Sequence, residues 1–79
     1  MKSEPSLTPL DSSMLAGYAH DPDSRDLTIQ YKDGDGKPTS TWVYEDVGAD
    51  KVHTMVNSQS PGRYFNDRIK GIHNGYKVK

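Results

Sequence analysis

The chain has 79 residues, of which 32% are hydrophobic and 27% are charged, and it contains no cysteine. This length accommodates a single small core, and the lack of cysteine excludes disulfides, thiolate metal sites and a thiol nucleophile. The sequence has no apolar run of membrane-spanning length and no signal-peptide hydrophobic segment, so we expect a soluble, cytoplasmic protein with no membrane partner.

The charges are unevenly distributed, although the net charge is only −1. Residues 1–50 contain four basic residues against ten acidic ones, whereas residues 58–79 contain five basic residues against one acidic residue. A basic end on an acidic body can attract an anionic partner. The simpler interpretation, a surface of mixed charge, is favoured at this size.

The first half of the chain predicts a three-stranded antiparallel meander. Residues 1–10 have two prolines and no periodicity, which predicts a flexible arm. In the middle strand Leu27, Ile29 and Tyr31 alternate with polar residues and share one face. The strands are separated by turn-forming residues, including a hairpin loop at 33–40. The predicted strands are Met14–His20, Asp26–Lys32 and Thr41–Glu45.

Two helices are predicted after the strands, so the fold class is α+β with both helices packed on one sheet face. Ser60 is a good N-cap, Pro61 suits the first helical position, and Gly71 is placed as a stop. Residues 73–79 are predicted to be a basic tail. The first helix, 48–58, carries an apolar stripe of Ala49, Val52, Met55 and Val56. The second helix, 60–71, carries a stripe of Tyr64, Phe65, Ile69 and Ile72.

Catalytic and metal-binding motifs are not supported by the sequence. An EF-hand loop starting at Asp33 would need an oxygen ligand at position 5 and a glutamate at position 12, but Lys37 and Tyr44 occupy those positions. His20, Asp21 and Asp23 lie in one turn without a second ligand cluster. We therefore expect no metal, no cofactor and no enzymatic activity.

Several residues are candidates for ligand binding. Trp42 and Tyr44 share one face of a strand and could stack on bases, although a core position is favoured because the chain has few other large apolar residues. On the second helix, Asp67 largely offsets the charges of Arg63 and Lys70 through i,i+4 and i,i+3 pairs. Arg68 has either a structural or an anion-binding role, and the structural role is favoured.

The order of these elements, together with Ser60-x-Gly62-x-Tyr64-Phe65-Asn66 followed by Ile69, resembles the KTSC domain. This small domain is named for its position at the C-terminus of some lysyl-tRNA synthetases, and it also occurs alone in bacteria and phages. The resemblance covers residues 11–72. The chain departs from the family pattern at Trp42, where the family has tyrosine, and in the longer hairpin.

The resemblance implies no established activity, but RNA binding has been suggested for the family. Carried over to this chain, that suggestion falls on Trp42, Tyr44, Arg63, Tyr64, Asn66 and Arg68. The leading hypothesis is thus a non-enzymatic module that binds RNA or another nucleic acid through its basic C-terminal third, with Lys70, Lys77 and Lys79 as further candidates. The alternative is a small protein-interaction module, encoded for example by a phage, that binds a host protein complex and modulates it. Recognition would then use the acidic body and an unpaired edge strand.

Overall fold

The computed structural model describes residues 7–78, which form one antiparallel sheet covered on one face by two helices. The α+β class is therefore confirmed. The sheet has five strands in the order β1-β2-β3-β4-β5, so the predicted meander of three strands is wrong in number. The strands are β1 (Thr8–Pro9), β2 (Leu15–Asp21), β3 (Asp26–Lys32), β4 (Pro38–Tyr44) and β5 (Gly75–Lys77).

The two additional strands come from segments that the sequence predicts as an arm and a tail. β1 pairs with β2 through Thr8 and Tyr18, and β5 pairs with β4 through Tyr76 and Val43. Leu10, just after β1, is part of the core. Both strands are too short for periodicity to reveal them, because only their long-range pairing makes them strands. Residues 1–6 of the predicted arm lie outside the described residues.

Gly17 allows β1 to approach β2. The sequence predicts a bulge or close packing at this glycine, and the β2–β3 register does shift between Leu15 and Gly17. A Cβ atom at Gly17 would lie only 2.8 Å from the carbonyl oxygen of Thr8. The lack of a side chain therefore lets the outer strand pair closely.

Aspartates close both hairpins of the central sheet. Asp21 Oδ1 accepts a hydrogen bond from the backbone N–H of Asp23 (2.9 Å). In the next hairpin Asp33 Oδ1 accepts bonds from the N–H groups of Asp35 (2.9 Å) and Lys37 (3.0 Å). The predicted hairpin loop is therefore present, but it ends at residue 37 rather than 40, because β4 already begins at Pro38. Such side-chain bonds to the backbone explain why aspartate favours turns.

The first predicted helix is confirmed as α1 (Ala49–Val56). Its buried residues are Val52 and Met55, and Val56 packs partly against the core. Ala49 is exposed, so the predicted stripe is narrower than its spacing indicated.

The second predicted helix is also present, but it changes its winding midway. It begins as α2 (Pro61–Phe65) and continues as a π-helical turn over Asn66–Lys70. The predicted side-chain cap is wrong, because Ser60 makes no side-chain cap bond. Its carbonyl oxygen instead accepts the N–H of Tyr64 at 3.0 Å.

The apolar stripe of this helix ends one residue earlier than predicted. Phe65 and Ile69 are completely buried, whereas Ile72 is 63% exposed. The sequence pattern aligns Ile72 with Phe65 only if the helix keeps 3.6 residues per turn as far as residue 72. In the structure the last turn is π-helical, with more residues per turn, and the helix ends at Lys70. The prediction that Ile72 belongs to the core is therefore wrong.

Close packing explains why glycine, a poor helix former, occupies position 62 in the first turn of α2. It is buried against the loop before β2, where a Cβ atom would lie 2.7 Å from Ser12 Oγ. That oxygen is held by the N–H groups of Met14 and Leu15, both at 3.2 Å. The intrinsic cost of glycine in a helix, about 1 kcal/mol, is accepted here so that α2 can contact this loop.

The core lies between the sheet and the helices. Phe65 of α2 points between two tyrosines of the sheet, with its ring edge-to-face to Tyr31 (5.9 Å between centroids) and to Tyr44 (5.1 Å). The largest fully buried side chains are Phe65, Leu15, Leu27, Ile29, Met55, Ile69 and Val47.

Candidate nucleic-acid interface

An open groove lies on the helix-covered face of the sheet, beside the end of the π-helical turn. Its volume is about 300 Å³. We call it the aromatic groove, and its lining residues are Tyr31, Ser40, Trp42, Tyr44, Lys70 and Gly75.

Strand register explains why these side chains meet. Trp42 lies opposite Ile29 on one side and opposite Lys77 of β5 on the other. Residues directly opposite in antiparallel strands point to the same face, so Lys77 shares the face of Trp42. Lys70, the last residue of the π-helical turn, lines the groove from the helix side. The groove therefore combines the indole ring of Trp42 with Lys70, and Lys77 lies beside Trp42 on the neighbouring strand.

The two aromatic residues of β4 differ in exposure. Their rings are nearly parallel, at 18°, with centroids 6.3 Å apart. Tyr44 is only 3% exposed and its ring packs against Phe65, so it belongs to the core. Trp42 is partly buried and packs against the core from its margin. This leaves Trp42 as the ring that a ligand in the groove can contact.

The hydroxyl groups of Tyr31 and Tyr44, which both line the aromatic groove, are hydrogen-bonded to each other. The two oxygens are 2.7 Å apart. Burial raises the pKa of Tyr31 well above its ordinary value, and the hydrogen bond to Tyr44 and the charge of Tyr44 raise it further. All three effects favour the neutral phenol of Tyr31. Tyr31 therefore supplies an uncharged hydroxyl group at physiological pH.

The raised pKa of Tyr31 predicts a loss of stability in alkali. Because its pKa is higher in the folded state than in the unfolded chain, its contribution is complete below about pH 10 and declines as the pH rises further. We expect the free energy of unfolding, measured with urea, to fall more steeply above about pH 10 in the wild type than in Tyr31→Phe. The difference between the two slopes should be at most about 1.4 kcal/mol per pH unit. Tyr76→Phe is the control, since Tyr76 is 43% exposed. Equal alkaline slopes in the wild type and Tyr31→Phe would contradict this prediction.

A hydrogen-bonded clasp positions the elements that carry the two lysines. Lys51 of α1 donates to the carbonyl oxygen of Arg68 (3.0 Å) and to Nε2 of His73 (2.9 Å). Since Nε2 accepts from the ammonium group, the proton of this imidazole is on Nδ1, which donates to the carbonyl oxygen of Glu45 at 3.0 Å. The clasp ties α1, the π-helical turn and the segment before β5 together. Sequence reasoning missed it, because its members are far apart in the chain.

A second groove contains the remaining predicted binding residues of the helix. We call it the helical groove; its volume is about 320 Å³, and its lining residues are Ser58, Gln59, Ser60, Arg63, Tyr64, Asp67 and Arg68. Arg63 and Asp67 approach to 3.8 Å with both side chains largely exposed, which makes this predicted pair a weak one. Asn66 is exposed on the π-helical turn.

The structure thus divides the predicted binding residues between two places. Trp42, Tyr44 and Lys70 line the aromatic groove, and Lys77 lies opposite Trp42 on β5. Arg63, Tyr64 and Arg68 line the helical groove, and Asn66 lines neither. Lys79 lies outside the described residues. The groove has three further lining residues that were not predicted as site residues: Tyr31, Ser40 and Gly75. The sequence assigns Tyr31 only to the core face, and its position at the end of an alternating strand was the available signal.

A third groove, larger than the two already described, lies between β2 and α1. Its volume is about 560 Å³, and it is lined by residues that include Tyr18, His20, Val52 and His53. His20 Nε2 donates to the carbonyl oxygen of Val47 at 2.7 Å, which gives this histidine a structural bond. Within residues 7–78, no cluster of three or more His, Asp or Glu residues is arranged to hold a metal ion.

Taken together, these features define a small α+β domain with an aromatic and lysine-lined groove at the margin of its core. No helix among the described residues has the length and apolar character needed to cross a membrane. The family model of the KTSC domain matches residues 11–73. The chain therefore belongs to the KTSC domain family.

A solved structure shares this architecture. The crystal structure of a KTSC domain protein from Yersinia pestis is 28% identical in sequence and superposes with a TM-score of 0.83. The match covers 94% of this chain and 97% of the other chain. No curated protein matches the chain.

Proposed function

We propose that this KTSC domain is a non-enzymatic module that binds single-stranded RNA in its aromatic groove. One observation carries the proposal: the partly buried Trp42 lines an open groove together with Lys70, and Lys77 lies opposite it on the neighbouring strand. Single-stranded RNA is recognised by stacking of unpaired bases on aromatic rings and by cationic contacts to the backbone. The groove offers both kinds of contact.

The strength of binding follows from these contacts. Stacking of one base on an aromatic ring contributes roughly 1–3 kcal/mol, and a groove of about 300 Å³ accommodates little more than one nucleotide. The acidic first half of the chain repels further phosphates. We therefore expect weak binding that depends on a few contacts and on salt.

The absence of catalysis is part of the proposal. Each histidine is already engaged: His20 with the Val47 carbonyl, His53 with the Asn57 side chain, and His73 with Lys51 and the Glu45 carbonyl. None of these partners is a hydroxyl or thiol nucleophile, and Lys51 is engaged as a hydrogen-bond donor to His73 and to the Arg68 carbonyl. This supports a binding role for the groove.

A titration with short oligo(U) tests the proposal, using the fluorescence of Trp42, the only tryptophan. We expect quenching of Trp42 and an affinity that falls with salt at a slope of roughly 0.7 for each phosphate neutralised. Trp42→Leu should weaken binding about tenfold, measured by the anisotropy of labelled RNA. Lys70→Ala and Lys77→Ala should each lower the salt slope by roughly 0.7.

Lys37→Ala is the matched control, because it removes the same charge from the exposed turn between β3 and β4. It should leave both the affinity and the salt slope close to those of the wild type. The proposal fails if oligo(U) does not bind, or if Lys37→Ala and Lys70→Ala reduce binding equally.

A protein partner is the second candidate, and the free edge of the sheet favours it. β5 is the last strand in the sheet order, and Tyr76 and Val78 beside its edge are 43% and 47% exposed. An extended peptide can add to such an edge through backbone hydrogen bonds. Capture of a partner from a nuclease-treated lysate that is lost in Tyr76→Lys would support this candidate over RNA.

A further inference from the structure

The polar groups in the aromatic groove define which base it accepts, and this inference rests on the proposed RNA-binding function. Trp42 supplies a stacking surface that does not discriminate among bases. Discrimination must come from hydrogen bonds to the base edge. The groups available in the groove are the hydroxyls of Tyr31 and Tyr44, the hydroxyl of Ser40 and the ammonium group of Lys70.

The tyrosine pair leaves one hydroxyl hydrogen available. When Tyr44 donates across the 2.7 Å contact, the hydroxyl of the less buried Tyr31 keeps its own hydrogen for a ligand. The phenol of Tyr31 is neutral at physiological pH, because burial and the contact with Tyr44 raise its pKa. The floor of the groove therefore offers a hydrogen-bond donor.

The rest of the groove adds more donors than acceptors. Lys70 is a pure donor, and Ser40 can donate or accept. Among the lining residues of the groove in the described part of the chain, none has a carboxylate or an amide side chain. An exocyclic amino group at C4 of cytosine or C6 of adenine therefore lacks a strong acceptor here. A keto oxygen at the same position, C4 of uracil or C6 of guanine, meets donors from two sides.

We infer that the aromatic groove selects one unstacked keto base, uracil or guanine, over the amino bases cytosine and adenine. The base stacks on Trp42, and its keto oxygen accepts hydrogen bonds from the tyrosine hydroxyl pair and from Lys70. Recognition by stacking alone gives a different order, because adenine stacks strongly and the two pyrimidines stack about equally. The comparison of uracil with cytosine therefore isolates the hydrogen bonds.

The test is a competition between oligo(U) and oligo(C) of equal length, at neutral pH and fixed salt, with the full chain. We expect oligo(U) to bind roughly fivefold more tightly, the effect of one net hydrogen bond. In Tyr31→Phe the ratio should fall towards one, because Tyr44 is only 3% exposed and its hydroxyl does not replace that of Tyr31. Tyr18→Phe, which changes a tyrosine of the cavity beside α1, should keep the wild-type ratio.

The possible outcomes distinguish the inferred base selection from the proposed RNA binding. Equal binding of oligo(U) and oligo(C) by the wild type overturns the base selection but leaves RNA binding intact. A ratio that survives in Tyr31→Phe overturns the assignment to the tyrosine pair. Binding of neither oligonucleotide overturns both. An unchanged far-ultraviolet circular dichroism spectrum would show that Tyr31→Phe remains folded. An unchanged salt dependence of its RNA affinity would show that it retains the phosphate contacts.

Discussion

Phe65→Ala should lower the free energy of unfolding by about 3–5 kcal/mol, the range for deleting a buried aromatic ring. Phe65 is fully buried and lies edge-to-face against both Tyr31 and Tyr44, so its removal opens a cavity under the aromatic groove. A domain of this length has a total stability of about 4–12 kcal/mol. We therefore expect the variant to be partly or wholly unfolded at 37 °C, measured by urea denaturation at 25 °C followed by circular dichroism.

Ile72→Ala is the matched control. The spacing of the sequence places Ile72 on the same helical stripe as Phe65, whereas the structure leaves Ile72 63% exposed. Its truncation should change stability by no more than about 0.5 kcal/mol. A cost for Ile72→Ala similar to that for Phe65→Ala would mean that the helix continues with regular winding beyond Lys70, contrary to the structure.

Gly75→Ala should destabilise the domain by about 1–3 kcal/mol, the usual cost of overpacking. Gly75 lies directly opposite Tyr44 in the β4–β5 ladder. A Cβ atom at Gly75 would lie 2.6 Å from Cδ1 of the Tyr44 ring and closer still to Cε1. Because that ring is packed against Phe65, it cannot move aside freely. Either β5 shifts away or the ring is displaced, and both changes disturb the aromatic groove.

Gly71→Ala serves as the comparison for Gly75→Ala. No atom lies within 4 Å of a Cβ at Gly71, and its φ of −94° suits any residue. Alanine there should be neutral or slightly stabilising, because it restricts the unfolded chain. If both glycine variants unfold at the same urea concentration, the close contact between Gly75 and Tyr44 is not a constraint on the fold.

The central strands and α1 could be predicted because their patterns are local. Alternation of Leu27, Ile29 and Tyr31 requires only that one face of β3 be buried, and the aspartate-rich turns carry their own hydrogen bonds. β1 and β5 could not be predicted in this way, since two or three residues have no period and their stability comes from pairing with distant strands.

The candidate site contains residues that stand out by type in the sequence, but their arrangement could not be predicted. Only the strand register and the end of the π-helical turn bring Trp42 and Lys70 to one groove and place Lys77 opposite Trp42. The same register makes Tyr44 a core residue and leaves Trp42 at the margin. Spacing along one strand cannot distinguish these two positions, because both residues point to the same face.

Mapping of the RNA contact by backbone amide chemical shifts tests the central claim most directly. In a titration of the isotopically labelled protein with oligo(U), we predict the largest shifts at the aromatic groove and its neighbouring strand, including the Trp42 indole. The residues expected to shift are Tyr31, Ser40, Trp42, Lys70, Gly75 and Lys77. Shifts concentrated in the helical groove, or at Tyr76 and Val78, or no shifts at near-millimolar RNA, would contradict the assignment of the aromatic groove as the nucleic-acid site.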